Sequence, residues 1–384
     1  MLLTNARILT MEAADIPCGF VQIEGEKIAA VGSMDELPQS AAGERMDLSG
    51  KTLAPGFVDA HSHQGIFSDG IGPEGEDANE FGDPCTPHVR ALDAINPLDR
   101  CFEEARAAGV TTVVVSPGSA NPLGGEVCAL KTHGCWLDKM VIRAPLAMKL
   151  AFGENPKMIW GEKSQTPATR MAIAAMIREQ FKKAQRYQQD KERAEKEEEA
   201  PPDFDMRLEA LLPALRAEMR VHIHAHKAYD ILTGVRIAKE FGLKYTLVHC
   251  TEGHEIADIL AELGADVICG PLLGTRTKPE LAHFEMDNCA KLMQAGVRVA
   301  ICTDHPEVPV RFLPLSAELA AAHGAPPRAV LEAITIHAAC VVDLQDRIGS
   351  IKAGKDADLL VFDTDPLAPH ARPEQVWISG RRVG

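Results

Sequence analysis

The residues with the clearest potential for chemistry are two histidines at the end of a strand-like run. His61 and His63 close a run of apolar and small residues that begins at Leu53. In an extended strand, residues two apart point to the same side, so both imidazoles would face one point. Two imidazoles that face one point can bind the same metal ion. A lone His-x-His pair is more often a surface pair or a satisfied core pair, so the interpretation depends on the later segments.

Further polar residues follow later strand-like runs in the same way. Three histidines at a spacing of two occur in the segment Val221–His226, and His249 ends the next run. Asp304 and His305 follow the last run. A buried carboxylate would be costly at this point without a nearby cation. The pattern therefore predicts one metal site to which several strands contribute nitrogen and oxygen ligands.

The segments that must position these residues repeat one pattern, an amphipathic helix, a glycine and a short apolar strand. Such glycines, which suit the left-handed end of a helix, are Gly109, Gly242, Gly264 and Gly296. Strands without polar alternation are typical of a parallel sheet that is covered on both faces. Eight strand ends are expected near Val58, Val115, Leu130, Leu150, His224, Val248, Cys269 and Cys302.

Eight such units over about 250 residues favour an α/β fold, a closed (β/α)₈ TIM barrel. Enzymes with this fold place their active sites at the carboxyl ends of the strands, where the histidines and Asp304 are expected. The alternative is an open doubly wound sheet. It has less support, because no Gly-x-Gly-x-x-Gly follows an early strand.

The two ends of the chain show short strands and turns instead. We expect residues 1–51 and 345–384 to form one small β-sandwich domain beside a barrel of residues 52–344. A charge-dense insertion at about residues 182–202 is expected to be a solvated helix extension and linker without a chemical role.

Composition narrows the classes of function. With 40 basic and 55 acidic side chains the net charge is −15, so nucleic-acid binding is not expected. No apolar run approaches the roughly 18 residues of a membrane span, and the first residues lack a secretory pattern, so no membrane partner and a cytoplasmic location are expected. The ten cysteines include no Cys-x-x-Cys pair, so we expect them to be reduced thiols. A metal ion would then be bound by nitrogen and oxygen ligands.

Three motifs carry a resemblance to the amidohydrolase superfamily. The run that ends at His61 and His63 resembles the opening motif of that superfamily, and residues 348–359 resemble its return into a small β domain. The His-Ala-His triplet at His224 resembles the imidazolonepropionase-like and prolidase-like branch. The resemblance covers nearly the whole chain. It implies a metal-dependent hydrolase that acts on a small molecule, and a homo-oligomer is expected because relatives usually form one.

The resemblance also implies a set of metal ligands, matched residue by residue. They are His61, His63, His224, His249 and Asp304. His224 is preferred among the fifth-strand histidines because the family ligand begins the His-Ala-His triplet, although His226 remains an alternative. The cofactor is expected to be one or two divalent ions, with Zn²⁺ favoured by the imidazole-rich ligands.

The fourth strand leaves a choice of ligand open. Lys149 matches a lysine that some relatives carboxylate to bridge two metal ions. Glu154 could supply a carboxylate directly, and it is favoured here because the turn Gly-Glu-Asn-Pro exposes its side chain.

The chemistry implied is hydrolysis of a carbon–nitrogen bond by metal-activated water. Asp304 would accept the proton of that water and pass it to the leaving nitrogen. His249, if it is not a full metal ligand, would support the developing oxyanion.

The substrate is expected to be a small cyclic amide or an imidazolone and not an ordinary protein peptide. Candidate substrate-binding residues are His226, His305, Lys131 and Arg170, although a solvated loop is the simpler interpretation of Lys131 and Arg170. The alternatives are a prolidase-like metallo-dipeptidase, a deaminase, and a catalytically inactive barrel used for binding or assembly.

Overall fold

Sixteen strands form two sheets in the part of the chain that the computed structural model describes, residues 1–12, 14–38, 43–68, 72–368 and 371–384. In chain order they are β1 (Leu2–Ile8), β2 (Ile16–Glu24), β3 (Lys27–Ser33), β4 (Arg45–Asp47), β5 (Thr52–Pro55), β6 (Phe57–Ser62), β7 (Val110–Val115), β8 (Leu123–Lys131), β9 (Val141–Ala151), β10 (Arg220–Ala225), β11 (Tyr245–His249), β12 (Asp266–Cys269), β13 (Arg298–Ile301), β14 (Leu359–Phe362), β15 (Gln375–Ile378) and β16 (Arg381–Arg382).

Helices occur mainly between the strands of the central sheet. They are α1 (Arg100–Ala107), α2 (Leu137–Met140), α3 (Glu154–Glu162), α4 (Arg170–Glu197), α5 (Met206–Glu209), α6 (Leu212–Leu215), α7 (Ala228–Phe241), α8 (Ala257–Glu262), α9 (Asn288–Gln294), α10 (Leu313–Ala322), α11 (Pro327–Ala333) and α12 (Ile336–Cys340). Gly242 ends α7 in the left-handed conformation (φ 67°), as the sequence pattern predicted. Within the described ranges, no helix is both long and apolar enough to cross a membrane.

The central sheet contains β6 to β13 in chain order and is nearly closed. Its two edges meet after β13, where the Asp304 amide donates to the His61 carbonyl (3.2 Å) and the His63 amide donates to the His305 carbonyl (2.8 Å). The prediction of an eight-stranded α/β barrel is thus confirmed at the level of a barrel-like sheet.

One strand departs from the expected parallel arrangement. β8 is antiparallel to both β7 and β9, whereas the other neighbouring strands of this sheet pair in parallel. Only residues 116–122 and 132–140 connect β8 to its neighbours. A parallel crossover needs about a dozen residues or more, so connections of this length produce hairpins. The carboxyl end of β8 therefore lies at the opposite rim from the ends of the other strands.

An apolar cluster fills part of the barrel interior. Val58, Val248 and Ala300 pack in it with Ala338 and Ala339 of α12. This cluster packs α12 against the strands of the barrel.

The two termini build the second sheet together. Its strand order is β16-β15-β14-β5-β1-β2-β3, with β4 paired to β1. The sandwich form and the domain bounds stay predictions. β5 pairs with β14 in this sheet, so residues 52–55 belong with the termini although they were expected in the barrel range. The charge-dense stretch lies largely on α4, a 28-residue helix, as its composition indicated.

Candidate metal centre and active site

The first group of candidate ligands comes from β6 and from the segment after β13. The Nε2 atoms of His61 and His63 both lie 3.3 Å from Oδ1 of Asp304. His63 Nδ1 is 2.6 Å from the Ser116 carbonyl, which can only accept, so Nδ1 donates and Nε2 carries the lone pair. Two electron-rich atoms thus face each other, and this arrangement suits a cation between them.

The second group comes from the ends of β10 and β11. The ligand atoms of His224, His226 and His249 lie within 4.8 Å of one another. Nδ1 of His249 donates to the Gly270 carbonyl (2.8 Å), which leaves Nε2 of that ring free to bind a metal ion.

The two groups are neighbours. The ring centroids of His61 and His249 are 5.4 Å apart, and those of His224 and His249 are 4.5 Å apart. The structure therefore brings all five matched ligands together, with His226 beside them. Their roles as ligands stay predictions.

Lys149 lies inside the barrel and pairs in register with His222 across β9 and β10. Its side chain is fully buried, and its Nζ has no hydrogen-bond partner among the described residues. Burial lowers the pKa of the ammonium to about 8. Its charge in turn helps to lower the pKa of His61 and of His224, which places Lys149 close to both groups.

Burial controls the charge of the imidazoles. It lowers the pKa of His61, His224 and His226 well below the usual value, and that of His249 to about 4. These rings are therefore neutral at physiological pH, the form that binds metal ions. Burial acts to raise the pKa of Asp304, but the nearby imidazoles, above all His249, hold it well below its usual range. The group thus combines neutral imidazoles with one carboxylate.

Glu154 does not join either group. Gly153 (φ 92°) turns the chain after β9, and Glu154 begins α3, where its carboxylate accepts the amide of Glu280 (2.9 Å). In return, the Glu280 carboxylate accepts the Glu154 amide (2.9 Å). The preference for Glu154 over Lys149 as fourth-strand ligand is therefore not supported by this geometry, because the carboxylate belongs to neither candidate ligand group.

Lys131 is placed at the opposite rim, which corrects the expectation that it lies near the site. It ends the reversed strand β8, and its ammonium pairs with Asp358 and, at 3.0 Å, with Asp356. Both aspartates precede β14, so Lys131 joins the barrel to the terminal sheet and does not face the cavity at the site.

Arg170 and His305 also do not contribute to the site. Neither belongs to the described residues that line the cavity next to the two histidine groups. Arg170 begins α4 and donates to both carboxylate oxygens of Asp230 at 3.0 Å. Nδ1 of His305 accepts the Val310 amide (3.3 Å). Of the four candidates for substrate binding, only His226 lines the cavity.

That cavity has a volume of about 360 Å³ and opens above the two histidine groups. Its lining includes His63, His224, His226, His249, Asp304, Asn155 and Lys278. This size suits a small molecule.

Two features of the site were missed in the sequence. Asp59 is fully buried, accepts the amides of His61 and Thr303 (both 3.3 Å), and has its pKa raised to about 7 by burial. Its position two residues before His61 was a signal for this positioning role. The other feature is Lys278, whose segment shows no periodicity that could have placed it in the cavity.

The geometry defines an α/β-barrel protein with a candidate metal centre at the carboxyl ends of its strands. The model of the amidohydrolase family matches residues 52–383, and the chain belongs to this family. The predicted superfamily is confirmed.

Relatives agree with this assignment. The chain is 31% identical over 371 residues to "Amidohydrolase tasK" of Hapsidospora irregularis, which covers 90% of this chain but only 37% of that longer protein. It is 26% identical over 379 residues to an imidazolonepropionase of Fusobacterium nucleatum, covering 91% of this chain and 86% of the relative.

Solved structures extend the likeness to the whole fold. An amidohydrolase from Thermotoga maritima MSB8 is 42% identical with a TM-score of 0.95, covering 100% of this chain and 99% of the other. A solved prolidase is also a structural neighbour, but at 19% identity this likeness shows the fold alone.

Proposed function

We propose that this protein is a metal-dependent hydrolase that cleaves a carbon–nitrogen bond of a small substrate such as a cyclic amide or an imidazolone. The observation that carries the proposal is the pair of adjacent histidine groups at the base of a small cavity. Family membership supports the reaction class, and the similarity to an imidazolonepropionase over most of both chains supports the type of bond.

The side chains present fit a divalent cation. Buried ligand atoms without a hydrogen-bond partner among the described residues include His61 Nε2, His224 Nδ1 and Asp304 Oδ1. Unpaired buried polar atoms are costly, and a metal ion is a usual partner for them. Zn²⁺ is the favoured ion, because neutral imidazoles predominate.

We propose two ions. His61, His63 and Asp304 would hold one, and His224 with His249 the other. Lys149 supports this arrangement, because a buried amine with a lowered pKa is partly neutral and can react with CO₂. Its nitrogen bonds to the carbon of CO₂ and loses one proton, which yields a carbamate. The lysine would then carry a negative charge, and its carbamate would be a further ligand for the ions.

A bound divalent ion would supply a water of lowered pKa and polarise the scissile carbonyl. Asp304, ionised and facing the cavity, accepts the proton of the attacking water and delivers it to the leaving nitrogen. The hydrogen bond from His249 Nδ1 to the Gly270 carbonyl orients that ring, so that Nε2 is available as an ion ligand. Asp59 holds the backbone of both His61 and Thr303, so it positions residues on either side of the site.

All ten cysteines are free, which supports a reducing compartment, and we place the protein in the cytosol. We also propose a homo-oligomer, as for relatives.

The test is a substrate panel on purified, metal-analysed protein. Ring opening of lactams and imidazolones, release of proline from Xaa-Pro dipeptides, and release of ammonia from aminated heterocycles are measured in parallel. We expect ring opening to dominate. Dominant release of proline would instead favour a dipeptidase, and dominant release of ammonia a deaminase. A protein without stoichiometric metal and without turnover would contradict the proposal and favour an inactive barrel.

A further inference from the structure

Lys278 brings a positive charge into the cavity. It lies on the segment that connects β12 to α9, and it is the one lysine or arginine among the described residues that line this cavity. Its side chain is 31% exposed and belongs to the cavity lining.

Two groups hold the ammonium in place. Nζ donates to Oδ1 of Asn155 at 3.0 Å and forms an ion pair with Oε1 of Glu280 at 2.7 Å, a contact without hydrogen-bond geometry. A lysine has three N–H donors, so donors remain for a further acceptor. Lys278 is therefore oriented before any ligand arrives, and this lowers the entropy lost on binding.

The segment that carries Lys278 is anchored across the cavity. Glu280 is almost fully buried and exchanges two hydrogen bonds with Glu154, as described above. This reciprocal pair joins the segment after β12 to the start of α3. The carboxylate that orients Lys278 is thus fixed by the barrel.

Lys278 is also close to the chemistry. Asn155 accepts from Lys278 with its oxygen, and its nitrogen lies 3.5 Å from Nε2 of His224 and donates to Ser119 (2.7 Å). A single side-chain amide therefore separates the ammonium from a candidate metal ligand. A group held by Lys278 would be only a few bonds from the scissile bond.

The charges around the cavity determine where an anionic group of a ligand can bind. The other lining residues with full charges are acidic, namely Glu285, Glu307 and Asp304. An anionic group would be repelled at their positions and attracted at Lys278. This difference between repulsion at the acidic residues and attraction at Lys278 would orient the substrate.

We infer that Lys278 binds a carboxylate of the substrate, and that the substrates are small anionic amides whose carboxylate lies a few bonds from the cleaved bond. The inference rests on the proposed function and narrows its substrate class. Glu280 and Asn155 act through Lys278 as positioning residues, with no part in bond cleavage.

The experiment compares two probes that differ in one group. Binding of glutarate and of glutaramate to the purified, zinc-loaded protein is measured by calorimetry, in the wild type and in Lys278→Met. One carboxylate is common to both probes and the second is replaced by an amide in glutaramate. We expect the wild type to prefer glutarate by about tenfold to a hundredfold, the range for a charge-assisted contact at a site built for it. In Lys278→Met this preference should fall to near unity.

Matched variants separate the charge from the fold. Lys278→Arg should retain most of the preference. Lys291→Met removes a cation on α9 that pairs with Asp287 and does not line the cavity, so it should leave the preference unchanged. Equal affinities of the wild type for the two probes, no binding of glutarate at millimolar concentration, or a preference that persists in Lys278→Met would overturn the inference.

Turnover distinguishes this inference from the proposed function. With any substrate that is cleaved, Lys278→Met should raise KM for the carboxylate form much more than it lowers kcat. If binding depends on Lys278 but no member of the panel is hydrolysed, the proposed function fails and the anion site stands.

Discussion

Replacement of Lys131 by methionine tests the placement of this lysine between the barrel and the terminal sheet. The side chains of Lys131, Asp356 and Asp358 are 7%, 3% and 4% exposed. Asp356 keeps two other cations in the variant, Lys27 at 2.6 Å and Arg347 at 3.0 Å. Among the residues that the structure describes, Asp358 keeps the amide of Ser379 but no second cation, so it becomes a buried carboxylate without a counter-charge.

Removal of one partner from a buried ion pair costs about 3–5 kcal/mol of unfolding free energy. We expect Lys131→Met to lie near the lower end, about 3 kcal/mol, because Asp356 stays paired. The double variant Lys131→Met/Asp358→Asn should recover part of this loss, since the uncompensated charge is gone. Lys27→Met is the matched control. Its lysine is 48% exposed, and the change should cost about 1 kcal/mol or less.

The assay is urea unfolding followed by circular dichroism, together with kcat/KM on the best substrate of the panel. Lys131→Met should be clearly destabilised while the folded fraction keeps kcat/KM within about twofold, because the residue lies at the rim opposite the site. A loss of stability no larger than that of Lys27→Met would contradict this placement of Lys131. A stable variant with a large rise in KM would restore Lys131 as a substrate-binding residue.

Three further predictions follow from the same structure. Asp304→Asn should retain metal but lose turnover by about 10²–10⁴-fold, the range for a general acid–base, and near-normal activity would remove Asp304 as the proton acceptor. Lys149→Ala should bind one equivalent less of metal in elemental analysis, whereas Glu154→Gln should keep the wild-type stoichiometry; the reverse pattern would return the ligand role to Glu154. Acid should destabilise the protein partly through Asp356, because burial acts to raise its pKa but Lys131 and its other cations outweigh burial and lower it. A carboxylate with a lowered pKa stabilises the fold above its unfolded-state pKa and loses that contribution as the pH falls through the folded-state value, so Asp356→Asn should flatten the acid limb of stability against pH.

Much of the site could be predicted because its signals are local. The spacing of His61 and His63 follows from strand geometry, and the rule that barrel sites lie at strand carboxyl ends brought His249 and Asp304 to the same rim. The structure places these residues together, with ring centroids of His61 and His249 5.4 Å apart. Local periodicity and one general rule of the fold were sufficient for this part.

The remaining parts depend on tertiary structure. Lys131 was expected near the site because the sequence of β8 resembles that of the other buried strands. The direction of β8 is reversed by the short connections on either side of it, and the apolar pattern does not show this reversal. Glu154 was favoured from its turn, but the amide of Glu280, 126 residues away in the chain, occupies its carboxylate. Lys278 belongs to a segment without periodicity, so its place in the cavity follows from packing against α3 and could not be predicted from spacing.

The most direct test of the metal centre is anomalous X-ray diffraction at the zinc edge from crystals grown with zinc. We expect two peaks, one near His61, His63 and Asp304 and one near His224 and His249. A third group, Glu252, Glu255 and His283, serves as an internal comparison, because it could also hold an ion but lies outside the cavity lining; Glu255 and His283 of this group are exposed and Glu252 is buried. Zinc at this third group alone, or no peak at the buried histidines, would contradict the proposed metal centre.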